Sequence, residues 1–192
     1  MSGPAVGLWL FEACGFDGIL AKVVPWLETF CDPVDVEPRG DLAFWPRDGA
    51  AIGLDGYSPG ETCAFFLSED ECIPADDDDY SAFARPPVQG LILDAGCSGR
   101  MNHIVLGHLA LALAPRLDAL VDFDGVLGYP TPRDETRNEA DLVRARALMT
   151  SLPGRIEEVS YDTGGGGRWF RHVGDAEFLA AWLHHPDFHL VK

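Results

Sequence analysis

Four groups of residues in this chain have the types and spacing to do chemistry: Cys97, His108, the pair Asp122 and Asp124, and the acidic stretch 69–79. The carboxylate pair closes an apolar run in Val-Asp-Phe-Asp-Gly-Val-Leu (121–127). Read from the residues alone, that motif is a strand end and turn, with one Asp turned to a backbone donor and the other to water. Cys97 falls in Gly-Cys-Ser-Gly between a predicted strand and a predicted helix, where the N-terminal helix dipole favours a thiolate. The spacing is not that of a nucleophile elbow, because Arg100 takes the place of the closing Gly. Nor is it a phosphate-binding Cys loop, because His103 stands where an Arg is needed. A small turn residue is the plainer role for this Cys. His108 lies within an apolar arc of the same helix, the usual setting of a hydrogen-bonded core histidine. His103 and His108 are separated by roughly 140° around the helix, so they do not share one metal.

The acidic stretch carries Glu69, Asp70, Glu71, Asp76, Asp77, Asp78 and Asp79, followed by Tyr80 and Phe83. It lacks the central Gly and closing Glu of an EF-hand loop. Two roles remain for it, a mobile solvated loop or a docking patch for a basic partner. In the docking reading Tyr80 and Phe83 are exposed aromatics beside the acids.

The elements that must position these groups follow from periodicity. The organising unit is 87–129, a strand, a Gly-rich turn, a long apolar helix and a second strand. Leu106, Leu109, Leu113 and Leu117 recur at helical spacing after Asn102, a good N-cap. Apolar residues cover most of that helix, leaving His103, Gly107, Ala114 and Asp118 as a narrow stripe for solvent, so the helix is predicted to be buried. Before it come a strand at 6–12, an amphipathic helix capped by Asp17, a strand pair around Pro38-Arg39-Gly40, and a strand at 62–67. After it come a connector at 130–132, a helix at 138–150, and a hairpin turning on Gly164–Gly167. A helix capped by Asp175 and a last edge strand at 188–191 finish the chain. The tetraglycine is a turn and not a phosphate loop, since no helix opening on Lys-Ser or Lys-Thr follows it. Both Gly-Leu-Trp-Leu-Phe-Glu (7–12) and Gly-Leu-Ile-Leu-Asp-Ala (90–95) lead into a loop, a Pro-containing helix and a strand. A tandem β-α-β-β pseudo-repeat or a merely shared pattern explains that likeness. The predicted fold class is α+β, a mostly antiparallel sheet with helices packed on one side. It forms a single domain over 1–192, with halves 1–67 and 87–192 joined by an acidic loop at 68–86.

Composition narrows the function classes. The net charge is −17, from 31 acids against 14 Lys and Arg. Phosphate contacts need clustered cations, so nucleic acid and anionic membranes are not expected partners, whereas a basic protein is. No signal peptide and no apolar run of membrane-spanning length is visible. The five cysteines follow no zinc or secreted-disulfide spacing. The expectation is a cytoplasmic chain with reduced thiols.

Val-Asp-Phe-Asp-Gly-Val-Leu resembles the nucleophile motif of haloacid-dehalogenase-type phosphatases. That resemblance implies Asp122 as nucleophile and Asp124 as acid and base, with magnesium between them. The rest of the pattern is missing, because the one downstream lysine is Lys192 and no second Asp pair follows. No metal and no other cofactor is therefore expected. The segments 106–125, 151–155 and 168–192, with 7–12, resemble an uncharacterised actinobacterial-type family, a domain of unknown function that brings no activity with it. The acidity and the Trp-rich tail ending in His-Pro-Asp-Phe also resemble immunity proteins of bacterial polymorphic toxin systems, which implies a basic toxin as partner. The expected function is a non-enzymatic protein-binding module acting through Glu69, Asp70, Glu71, Asp76–Asp79, Tyr80 and Phe83. The alternative is a small-molecule-binding or hydrolytic domain with a pocket near Cys97, His108, Asp122 and Asp124.

Overall fold

A computed structural model describes residues 3–37, 40–129 and 139–190. In chain order the elements are β1 (Ala5–Leu10), α1 (Phe16–Leu27), β2 (Cys31–Val36), β3 (Leu42–Pro46), β4 (Phe65–Asp70), β5 (Gln89–Ala95), α2 (Arg100–Leu117), β6 (Ala119–Asp122), α3 (Glu139–Ser151), β7 (Ile156–Asp162), β8 (Arg168–Gly174) and α4 (Ala176–Leu183). The eight strands form one sheet in the order β2-β3-β4-β5-β1-β6-β8-β7. Every neighbouring pair is antiparallel. The fold is α+β, as the patterning predicts. The two sequence halves share this single sheet, because β1 lies between β5 and β6. The two runs of the β-α-β-β pattern occupy unlike places in it: β2 is an edge strand, whereas β6 lies beside β1 near the centre. The turn at Pro38-Arg39, the connector at 130–132, the predicted helix start at Asn138 and the tail at Val191 lie outside the described residues.

Side chains alternate across a strand, and each face of this sheet gathers its own cluster. On one face Val6, Leu8, Leu93, Leu67, Phe65, Phe44 and Val121 meet Ile19 and Val23 of α1, Leu106, Leu109 and Leu113 of α2, and Phe178, Leu179 and Trp182 of α4. Met149 of α3 joins the same cluster. The helices therefore lie on one side of the sheet, with α2 at the centre. The stripe predicted to face solvent is covered in its middle, where Gly107 meets Leu183 and Phe188 and Ala114 is buried, while His103 is half-buried and Asp118 is exposed as expected. The reason is α4, which a single-helix projection of α2 does not contain. The α2 helix starts at Arg100 with Gly99 as N-cap, and α1 has Gly15 as N-cap with Asp17 in its first turn. Asp175 does cap α4, accepting a hydrogen bond from the Phe178 N–H at 2.8 Å. No strand forms at 188–190. There the Trp182 indole N–H donates to the His189 carbonyl, and the Leu190 N–H donates to His103 Nδ1.

Asn102 is buried inside α2 and works as a bracket. Its Oδ1 accepts from the Cys63 N–H at 3.2 Å, while its Nδ2 lies 3.5 Å from Cys97 Sγ and 3.4 Å from the Ser98 carbonyl. Cys63 and Cys97 are joined by a disulfide, with Cα atoms 5.9 Å apart. This corrects the expectation of reduced thiols throughout. The β4–β5 register pairs Phe65 with Ala95, and continuing it by two residues opposes 63 and 97. The cysteines 34 residues apart are thus brought together by strand pairing, which a search for short Cys spacings does not detect. Among the described residues no helix is long and apolar enough to cross a membrane.

Candidate functional site

The second face of the sheet holds the site, and the segment 71–88 makes it. This segment crosses that face as a fastened strap, which corrects the expectation of a mobile loop. Ile73 and Phe83 are buried with Trp9, Val159 and Val173, and Tyr80 and Phe11 pack beside them. The Tyr80 and Phe83 rings meet the Trp9 indole edge-on, with centroids 5.5 and 6.0 Å away. Backbone bonds tie the strap to the sheet: the Asp79 N–H donates to the Ser160 carbonyl at 2.9 Å and the Val88 N–H to the Leu10 carbonyl at 2.8 Å. Arg155 and Arg168 donate to the strap carbonyls of Ala82 and Asp77. Phe83, expected to be exposed, is buried, and Tyr80 is half-buried. Burial carries the Tyr80 hydroxyl up to about 12. The physical reason is a small satellite core of aromatics, which outweighs the repulsion among neighbouring acids.

Asp122 and Arg171 meet on this face, where β6 and β8 lie side by side. They stand on the antiparallel neighbours β6 and β8, and both side chains point away from the helices. Arg171 Nη1 lies 3.2 Å from Asp122 Oδ2 and Nη2 lies 3.5 Å from Asp78 Oδ2. The Asp78 side chain is 2% exposed, and the Tyr80 hydroxyl donates to it at 3.2 Å. The guanidinium also lies over the Tyr161 ring, 4.8 Å from its centroid, a cation–π geometry. Arg171 Nε is buried without a hydrogen-bond partner among the described residues. Asp122 Oδ1 accepts from the Asp124 N–H at 2.9 Å, closing a turn in which Asp124 adopts φ 53. Asp and Asn enter that left-handed region more readily than most residues.

Burial shapes the ionisation here. It pushes the Asp122 carboxyl up to about 6, against the opposing pull of Arg171. Asp124 is raised by burial too, with Arg171 lowering it and Asp70 raising it. Burial alone would lower Arg171, but Asp122, Asp78 and Asp124 outweigh it and hold the guanidinium above its ordinary value. Asp70, Asp122, Asp124 and Arg171 line a cleft of about 160 Å³.

The structure separates the four residues of the hydrolytic alternative. Asp122 and Asp124 are on the strap side, whereas Cys97 and His108 belong to the helix side. Cys97 is bridged to Cys63 and is no nucleophile in that state. His108 Nδ1 donates to the Ile52 carbonyl at 2.9 Å, a satisfied half-buried histidine. The geometry beside Asp122 also differs from what the phosphatase resemblance implies, because the Arg171 guanidinium is paired with the Asp122 carboxylate. No group of three or more His, Cys, Asp or Glu among the described residues is arranged to hold a metal ion. Of the predicted binding residues, Glu71, Asp76, Asp77 and Asp79 are exposed along the strap and Asp70 and Asp78 turn inward, whereas Glu69 belongs to β4 on the helix-side register and accepts a hydrogen bond from Gln89 Nε2 at 2.9 Å. Arg171 was not singled out in the sequence. Its signal was there in Trp169-x-Arg171-x-Val173, an arginine at an inward position of a strand.

A second buried titratable group lies one residue further on. His172 Nδ1 accepts from the Leu127 N–H at 3.0 Å, and Nε2 is 4.0 Å from the Glu158 carboxylate. Burial lowers its pKa to about 4, with Glu158 raising it and Arg146 lowering it. Below its unfolded value near 6.5 the unfolded chain takes a proton that the folded chain refuses, so stability is lost as pH falls towards 4. Asp122 acts in the opposite sense, because its folded pKa is raised: stability is gained as pH falls from 6 towards 4. His172→Asn keeps an acceptor for Leu127 and removes the acid-labile group. The variant's stability relative to wild type should rise by about 2 kcal/mol between about pH 7 and pH 4.5. Urea unfolding at the two pH values measures it, and parallel wild-type and variant profiles would contradict it.

No curated protein and no solved structure matches the chain. A family model described as "Family of unknown function (DUF6368)" matches residues 2–192, and the chain belongs to that family.

Proposed function

We propose that the chain is a non-enzymatic protein-binding module that captures a basic protein partner through its acidic strap, as an immunity protein captures a basic toxin. The observation that supports this reading is the fastening of the strap. Glu71, Asp76, Asp77 and Asp79 stand exposed on a segment whose aromatics and backbone are already fixed to the sheet. A pre-ordered acidic ridge loses little entropy on binding and steers a basic surface towards itself. With Cys97 and His108 across the sheet from Asp122 and Asp124, no joint nucleophile and base supports the hydrolytic alternative.

The test neutralises the outward acids and spares Asp78, which the sheet needs. A variant carrying Glu71→Gln, Asp76→Asn, Asp77→Asn and Asp79→Asn should keep its melting temperature. Its association with the basic protein captured from the native cell extract should slow by on the order of tenfold at low salt. The salt dependence of that rate should flatten, because screening acts on the charges that were removed. Equal association rates for wild type and variant at low and high salt would defeat the strap reading.

A further inference from the structure

The strap covers only part of the second face. Residues opposed across the strands form rows on it: Asp35, Ala43, Phe66, Asp94 and Ala5 make one, and Ser68, Ile92, Gly7 and Asp122 the next. Phe66 and Ile92 are half-buried, and Trp45 on the same face is 38% exposed. These three belong to neither hydrophobic cluster. A sheet face of this kind is normally covered, and among the described residues no helix packs against this part.

The rows run into the cleft beside Arg171. Gly7 forms its floor: a Cβ there would lie 3.0 Å from the Asp122 Cβ, so a side chain would close the space that Gly7 leaves. Ile92 is an apolar wall, and Asp70 and Asp124 stand at the rim. Asp122 and Asp78 already form the ion pairs of Arg171, and among the described residues Asp70 and Asp124 form none, although Arg171 is near enough to act on Asp124. Asp94 and Asp35 stand in the adjoining row, so carboxylates extend along the open face. A flat cation with an apolar underside matches these surroundings. Guanidinium is weakly hydrated, stacks on apolar and aromatic groups and offers paired donors to carboxylates, whereas ammonium does not stack in this way.

We propose that the open face formed by β3, β4, β5 and β1 seats the basic protein partner, which places one arginine side chain in the cleft over Gly7 between Asp70 and Asp124. The inference rests on the reading of the chain as a binder of a basic protein, and it assigns the anchoring contact to the cleft and the steering to the strap. Steering charges act on the association rate, whereas a side chain seated in a cleft between two carboxylates acts on dissociation.

The experiment is amide NMR titration of the intact protein with a short acetylated and amidated peptide holding one Arg between glycines. The same peptide with neutral citrulline is the control. Shifts should centre on Gly7, Ile92 and Asp124, and citrulline should bind about tenfold more weakly for loss of the charge-assisted pairing. Asp124→Asn should weaken Arg-peptide binding to a similar degree. Asn tolerates φ 53 at that position, so the turn is kept. Ile92→Lys should abolish the cleft shifts by filling the site with a cation of the protein's own. Shifts confined to 71–79 would overturn the cleft and leave the strap reading standing. Shifts at the cleft with none on the strap would do the reverse. Equal shifts with both peptides, or no shifts at either place, would overturn the anchor.

Discussion

Arg171→Met should lower the unfolding free energy by about 3–5 kcal/mol near neutral pH. Among the described residues the guanidinium is the only cation paired with the Asp122 and Asp78 carboxylates, and those two side chains are 6% and 2% exposed. Methionine replaces the stem's apolar contacts but leaves two carboxylates without a counter-charge. Much of the cost should disappear on acidification. Arg171, together with the Asp124 N–H, holds Asp122 down, so in the variant its pKa rises beyond the present value of about 6. A group with a raised folded pKa contributes stability as pH falls through that value, so the deficit should shrink between about pH 7.5 and pH 5. Adding Asp122→Asn should recover part of the loss at the higher pH. Urea unfolding of the single and double variants decides it. A deficit below about 1 kcal/mol that does not change with pH would show that the carboxylates have other compensation.

Leu109→Ala tests the opposite layer and should cost about 2–5 kcal/mol. Leu109 is fully buried in α2, within the cluster that joins that helix to the sheet and to α1 and α4. Truncation removes apolar contacts on a helix hemmed in on several sides, so the neighbours cannot easily close the gap. The cost should be insensitive to pH, which separates it from the Arg171 effect. A change under about 0.5 kcal/mol in urea unfolding would mean that α2 is not the centre of the core.

The sequence pattern shows the long apolar helix, the antiparallel strands and the capped final helix because each is set by local spacing. Leu106, Leu109, Leu113 and Leu117 recur along one helix, and Asp175 caps within three residues of its target. What it does not show depends on contacts far apart in the chain. The burial of Gly107 needs Leu183 and Phe188. The Cys63–Cys97 bridge needs the β4–β5 register. In the candidate site the motif Asp122-x-Asp124 is visible at once, but Arg171 is 49 residues away and reaches Asp122 only through the sheet. The strap is the clearest case. Seven acids dominate its local composition and indicate a loose loop. Tyr80 and Phe83 take a different course because Trp9, from the opposite end of the chain segment, gives them a surface to cover.

The place of β1 between β5 and β6 bears on how the polypeptide is made. β1 leaves the ribosome with the uncharged sequence Ala-Val-Gly-Leu-Trp-Leu, and its two partners lie at Gln89–Ala95 and Ala119–Asp122. Until those strands emerge, both of its edges offer unpaired backbone groups, and six apolar or small residues of strand type have nothing to pair with. The β2-β3-β4 meander can close on itself in the meantime, since its connections are local. Slower synthesis lengthens the interval in which β1 stands alone, and a crowded nascent-chain population makes that interval an aggregation hazard. The strand that ends at the centre of the finished sheet is therefore the one that waits longest for neighbours, and yield in recombinant expression should be governed by that wait more than by the stability of the completed fold.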